Sequence, residues 1–430
     1  MKRLFIILLC AALIAGITLP VAAKAKLEIW GRASFIDALN LWIVNKVQEW
    51  ANENDVTARV SLLPVDQFNQ KMIAAIETGT QPDVVINGWP VAIAAERGLL
   101  LPLDDIIQKL DPADFFPHKL AQNKVGDHYY SLPMFAELYV AHIRKDVLAA
   151  KGLKIPANYD ELPEVAKKVS DPKRDFYGLG MALGRCFDAE THFLATLYSF
   201  GGGWLSDLSP SGADVFKGPA TAKALKWIKD LYEAKAIPPD ATGWTDWNNN
   251  KDYIEGRVAI TMNPPSIYYS LLQTNPELAG KTVLAPIGVT VDGGEESAFV
   301  FKSTKQPELA KDLLYYLFKD KEAYRKGIVE GSWTYGLPVF KSQAKAISEQ
   351  WKSGKYRQWA LDPYQVIEKS DRMLNPLAYP YNKACSVADE ASTSLLWSDL
   401  LSRVIVDKVP IEKAIEETYE RIKELIKGKS

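Results

Sequence analysis

The chain is poor in the residues on which most catalytic and metal chemistry rests. Among 430 residues there are three cysteines and four histidines. The histidines, His118, His128, His142 and His192, are scattered without metal-ligand spacing. There is no Gly-x-Ser-x-Gly elbow, no His-Glu-x-x-His, no Cys-x-x-Cys and no Walker-type phosphate loop. Gly178-x-Gly180 with Gly184 is one residue off the dinucleotide fingerprint and lacks the helix opening that it requires. Acid pairs of the kind used in glycoside hydrolysis occur at Asp104-Asp105 and Glu295-Glu296, but adjacent acids at helix starts and turns usually cap or face water. Charge of one sign is missing as well. With 51 Lys and Arg against 53 Asp and Glu, the net charge is -2. That balance argues against a nucleic-acid or anionic-membrane partner, because no basic excess is available to neutralise phosphates. The expectation is a chain with no metal and no cofactor.

Long apolar runs are also scarce. One runs from Leu4 to Leu19, after Lys2-Arg3 and before Pro20 and the small residues Ala22, Ala23 and Ala25. It falls short of the ~20 residues of a spanning helix and has the order of a cleavable export signal. Residues 1–25 are therefore expected to be a signal peptide, with export to the periplasm or cell surface and a kept anchor as the alternative. Cys10 lies inside that run, which leaves Cys186 and Cys385. An oxidising compartment permits a disulfide between them, and two buried free thiols suit the sequence equally well.

Aromatic residues are what the chain has in plenty: 12 Trp, 19 Tyr and 15 Phe. Its length calls for two domains, so large cores could absorb these rings, or they could line a site.

The stretch from Phe68 to Ile107 is the most informative. Phe68, Met72, Ala75 and Ile76 share a helical face, and Gly79 and Pro82 stop the helix. Asp83-Val84-Val85-Ile86 reads as a buried parallel strand, broken by Asn87-Gly88-Trp89-Pro90. A short helix to Gly98 and an extended Leu99–Leu103 lead to Asp104-Asp105. Upstream, a strand at Leu27–Trp30, a helix over Phe35–Trp50 carrying Leu39, Trp42, Ile43, Val47 and Trp50, and a strand at Val56–Leu63 complete a doubly wound start. In such a sheet the loops after the strands gather at one edge, so Trp30–Arg32 and Asn87–Trp89 are expected near each other.

This order of a helix, Gly-x-x-Pro-Asp-Val, a helix with Arg-Gly-Leu and then Pro-Leu-Asp-Asp resembles the extracellular solute-binding proteins of ABC importers. The carbohydrate-type branch that includes maltose-binding protein is the nearest in pattern. Further segments carry the likeness along the chain: Gly126–Ile143, Lys145–Leu148, Glu255–Met262, Val283–Pro286 and Trp333–Val339. The resemblance implies an α/β fold of two lobes, each a doubly wound sheet flanked by helices, joined by three hinge crossings. It places an N-terminal lobe in 26–136 and 286–330 and a C-terminal lobe in 137–285 and 331–430. It also implies a monomeric, non-enzymatic receptor that closes over a sugar or oligosaccharide and delivers it to the membrane permease subunits of an importer. Where that family often continues into a tryptophan after its strand, this chain has Pro264-Pro265-Ser266, which puts a stacking residue there in doubt.

Residue chemistry suits such a ligand. Flat rings cover the C–H faces of a sugar, while carboxylates, amides and guanidinium groups bond its hydroxyls. Loop rings next to such groups make Trp30, Arg32, Asn87, Trp89, Glu137, Tyr139, Trp204, Trp244, Asp246, Trp247, Asn263, Trp333 and Tyr335 the candidate ligand-binding residues. Trp42, Trp50 and Trp227 lie on apolar helix stripes and are assigned to core. The alternatives are an exported glycosidase or lyase, or a binding protein for an anionic solute that uses Arg32 and Arg185.

Overall fold

The computed structural model describes residues 24–289, 291–292, 296–369, 372–373 and 378–428. The expected signal peptide lies outside the described residues apart from its last two positions. From Lys26 the chain forms strand Lys26–Arg32, helix Asp37–Glu53, strand Thr57–Leu63, helix Val65–Thr78 and strand Val84–Gly88. The three strands pair in parallel with Lys26–Arg32 in the middle, as the βαβ order requires. Phe68, Met72, Ala75 and Ile76 are buried together, as their spacing predicts. Gly79 closes their helix at φ 70°, a left-handed conformation in which a Cβ would be strained. Every residue of Val84–Gly88 is buried, as befits a strand covered on both faces.

Two sheets follow from this start, and both are mixed. The first has the order Thr57–Leu63, Lys26–Arg32, Val84–Gly88, Ser297–Val300, Leu132–Pro133. Ser297–Val300 enters it antiparallel, returning from far along the chain. The second is built on Leu138–Arg144, flanked by Val258–Asn263 and then Tyr177–Gly180 on one side. On its other side are Thr282–Ala285 and Val291–Asp292. Two lobes result, and the chain passes between them three times.

At the waist the three passages run side by side. The Met134 N–H bonds the Glu296 carbonyl at 2.7 Å, and Ala136 and Leu337 exchange a pair of bonds, each 2.8 Å. Val291–Asp292 pairs with Tyr139 and Leu138 in the second sheet before the second passage. After the third passage Phe340 is bridged to Phe115.

One core packs the second lobe against the C-terminal helices Leu396–Ile405 and Ile411–Lys427. Another runs from the first sheet through the waist, taking in Phe135, Ile328, Tyr335 and Leu337. Trp50 and Trp227 are core residues, as their stripes predict. Cys186 and Cys385 are both buried free thiols, which decides between the two readings left open. Among the described residues no helix is long and apolar enough to cross a membrane.

Gly178 shows how tightly the second lobe is packed. A Cβ there would lie 2.0 Å from the Ala166 carbonyl oxygen, a backbone atom that cannot swing aside, whereas one on Gly243 would meet nothing within 4 Å. Gly178→Ala should therefore lose about 1–3 kcal/mol of stability, read as a lowered thermal midpoint, while Gly243→Ala should stay close to the parent.

Candidate functional site

The cleft between the lobes is built where strands and passages end. Lys26–Arg32 delivers Arg32 at its last residue, and the loop Ala33–Phe35 follows. Asn87, at φ 58°, turns its amide to the Arg32 carbonyl, 2.8 Å away, and so fixes that loop from the neighbouring strand. Each passage then contributes one side chain: Glu137 from the first, Glu296 from the second and Tyr335 from the third. Trp333 and Thr334, at φ 49° and 65°, form the irregular turn that presents Tyr335 to the cleft.

These four side chains form one buried cluster. The Arg32 guanidinium donates to Glu296 Oε1, and Glu137 contacts both Glu296 and the Tyr335 hydroxyl. Burial, then the adjacent Glu296 carboxylate, push Glu137 well above the ordinary carboxylate range, against the pull of Arg32. Burial likewise raises Tyr139 and Tyr335, so both hydroxyls stay protonated at neutral pH.

The second lobe supplies the opposite wall. Tyr139 accepts a hydrogen bond from the Thr191 hydroxyl at 3.1 Å. Asp246 accepts from the Asp188 N–H at 2.9 Å, and burial lifts its carboxyl above the usual range. The Asn263 amide donates to Asn250 Oδ1. Phe35 from the first lobe and Phe187 from the second add apolar faces, and Pro264 and Ser266 complete the lining. The cleft encloses about 760 Å³ of empty space, open mouth included, within the range of small-molecule sites. Among the described residues that line it Arg32 is the one cation, facing Glu137, Asp188 and Asp246. No group of described residues could hold a metal ion.

Six of the candidates from the sequence therefore line one cleft: Arg32, Glu137, Tyr139, Asp246, Asn263 and Tyr335. Asn87 and Trp89 stand behind it. Trp89 is buried, its ring edge-on to Phe187 at 6.3 Å. Trp247 sits at the rim, 62% exposed, with its ring 4.7 Å from Phe35.

Four tryptophans lie elsewhere. Trp30 packs on the helix behind the first sheet, with the Lys71 ammonium 3.8 Å above its ring and its N–H on Glu28. Trp204 is buried against Trp397 in the second-lobe core. Trp244 is buried there too, donating to Asp240 at 3.1 Å. Trp333 lies over Tyr268 at 4.2 Å on the far side of the turn that carries Tyr335. For Trp204 and Trp244 the reason is that an indole gains most by burying its large apolar area within one lobe; Trp30 and Trp333 are half-buried, packed against their own neighbours. Arg185, the other suggested anion ligand, pairs with Asp399 on the surface.

Several lining residues were not among the candidates from the sequence: Ser34, Phe35, Phe187, Asp188, Thr191 and Ser266, with Asn250 at the end of a polar and aromatic tract that suits a ligand-facing loop. Phe187 and Asp188 open helix Phe187–Ser199, Asn250 lies in the first turn of helix Asn248–Ile254, and Ser266 opens helix Ser266–Thr274. Helix starts facing the cleft were the signal available. Glu296 was noticed only as half of an acid pair.

The sequence model for bacterial extracellular solute-binding proteins matches residues 44–357. The chain belongs to that family. A binding protein of Brucella abortus is 25% identical over 302 residues, covering 69% of this chain and 71% of its own. The arabinooligosaccharide-binding protein of Bacillus subtilis is 22% identical, with 93% of each chain covered. A solved structure of a solute-binding protein from Thermotoga lettingae, bound to α-D-tagatose, superposes with a TM-score of 0.78 at 22% identity. The match covers 94% of this solute-binding protein and all of that chain.

Glu137 makes the cluster testable by pH. Its folded pKa stands well above the ordinary carboxyl value of 4.5, so the folded protein holds this proton more tightly than the unfolded chain does. Its contribution to stability is then greatest below about pH 4.5 and declines as pH rises toward the folded pKa. Glu137→Gln removes that decline. The variant's thermal midpoint relative to the parent should climb as pH rises above about 4.5, and a flat difference would show that the folded protein does not hold the Glu137 proton more tightly than the unfolded chain.

Proposed function

We propose that this solute-binding protein is an exported, monomeric, non-enzymatic receptor that captures a neutral sugar or polyol between its lobes. It would then deliver that solute to the membrane subunits of an ABC importer. One observation carries the reading: side chains from both lobes and from the first and third passages converge on a single cleft in rings and hydroxyl-bonding groups. Phe35, Phe187, Tyr139 and Tyr335 offer apolar faces, and Arg32, Glu137, Asp246, Asn250, Asn263 and Ser266 offer donors and acceptors. Closing the lobes excludes water and strengthens each polar contact inside. The relatives support the ligand class, since one is named for an arabino-oligosaccharide and another holds tagatose.

The other readings meet physical objections. An anionic solute would find one guanidinium, already engaged by Glu296, among several acids. A glycosidase flanks the scissile bond with two carboxyl groups roughly 5–9.5 Å apart, whereas Glu137 is hydrogen-bonded to Glu296, which does not line the cleft. On this reading the first lobe comprises residues 26–136 and the strand Ser297–Val300 with the helix after it. The second begins at Glu137, and export places the protein in the periplasm or on the cell surface.

Titration calorimetry against a panel of sugars and polyols is the test. Asp246→Ala and Asn263→Ala should each weaken binding by about tenfold or more, the effect of losing a hydrogen bond to a buried polar partner. Trp204→Phe, in the core of the second lobe, should leave affinity nearly unchanged. Heat from an anionic solute and none from any sugar would overturn the ligand class.

A further inference from the structure

The loops after strands Lys26–Arg32 and Val84–Gly88 end at the same edge of the first sheet, yet only the former opens into the cleft. No residue of Asn87–Pro90 lines it. That loop and the short helix Ala92–Glu96 press instead against helix Ser386–Thr393 of the second lobe.

The contact is reciprocal. Asp389, fully buried, uses both carboxylate oxygens on the other lobe: the Trp89 indole N–H is 3.1 Å from Oδ1 and the Ile93 N–H is 2.9 Å from Oδ2. In return, Glu96 accepts from the Ser386 N–H at 2.9 Å and from the Ser386 hydroxyl. Ile93 and Ser386 belong to the first turns of their helices, whose N–H groups have no partner within the helix. Each is satisfied by a carboxylate from across the lobe boundary. Opening this contact would leave those N–H groups without their partners and break apart a buried network, so it resists a wedge far better than an apolar contact of equal area.

Phe187 is the partition. It lines the cleft and also meets Trp89, edge-on at 6.3 Å and 89°. Beyond it the lobes touch directly, with Trp89 and Asp389 both buried. At the mouth a second ring contact, Phe35 on Trp247 at 4.7 Å and 84°, spans the lobes.

We propose that the Trp89–Phe187 and Asp389 contact walls off one end of the cleft and limits the solute to a single sugar ring or an open-chain polyol of similar length. A longer chain of rings would have to part Trp89 from Phe187, and with them Asp389 from two N–H groups, to occupy the space along the Val84–Gly88 loop. This limit rests on the sugar reading above and narrows the expected sugar or oligosaccharide to its shorter members.

The experiment is titration calorimetry of the whole protein with glucose, mannose, xylose, arabinose and the hexitols, alongside the di- and trisaccharides of the same sugars. A monosaccharide or hexitol should bind at least about tenfold more tightly than its own trisaccharide. Asp389→Ala and Trp89→Phe, the latter keeping a ring while losing the N–H, should bring that ratio toward one; Ser386→Ala should move it in the same direction by less. A trisaccharide that binds the parent protein as tightly as the single ring overturns the wall and leaves the sugar reading intact. So does an unchanged ratio in folded Asp389→Ala and Trp89→Phe. If neither variant folds, the parent's length series decides. Absence of heat with every sugar and polyol overturns the sugar reading and the length limit with it.

Discussion

Burying charge where three strands of chain cross is the constraint on which this structure rests. Arg32, Glu137, Glu296 and Tyr335 are drawn from the end of the first strand and from each of the three passages, and they meet out of water. An isolated buried carboxylate is costly, and a second beside it would be more so. The cluster holds because Arg32 donates to Glu296 and because Glu137 keeps its proton at a higher pH than usual. Removing one partner would strand another, the situation in which buried pairs become strongly destabilising. The waist is therefore tied together by polar chemistry as well as by its backbone bonds, at the place where the lobes must pivot.

Three members of the cluster, Arg32, Glu137 and Tyr335, also line the cleft, with Glu296 buried behind them. On the proposed reading, a ligand hydroxyl arriving at Glu137 or Tyr335 would enter a network that already has internal hydrogen bonds, and would have to offer bonds at least as good as those it displaces. Asp246 and Asn263 on the opposite wall are likewise held by the Asp188 N–H and by Asn250. On the proposed reading, selectivity would come from these fixed donors and acceptors together with the phenyl and phenol rings that line the cleft.

Tryptophan in this chain is mainly a packing residue. Trp204 rests on Trp397, Trp333 on Tyr268, and Trp50 gives its N–H to Asp312 at 2.8 Å inside the first lobe. Trp89 and Trp247 differ in that each touches the other lobe, one buried beside Asp389 and one at the exposed rim. They bound the cleft and do not line it.

The alternation of strands and helices, the helix stops at Gly79 and Pro82, the parallel pairing of the first three strands and the family were all legible in the sequence. Each follows from local periodicity and from short-range order along the chain. Half of the cleft was legible for a related reason: Arg32, Glu137, Tyr139 and Asn263 lie in or beside strands whose ends a doubly wound sheet brings to one edge. Which way a loop tryptophan points was not, because an indole beside a polar residue looks the same whether it turns to the cleft or into its own lobe. The partners that decide this, Asp389 for Trp89 or Trp397 for Trp204, are distant in sequence, as are the Glu137–Glu296 pairing and the register of the waist. Local patterning thus settled the elements and their order. Only long-range packing settled which side chains share a space, since that depends on contacts between segments whose separation along the chain carries no periodic signal.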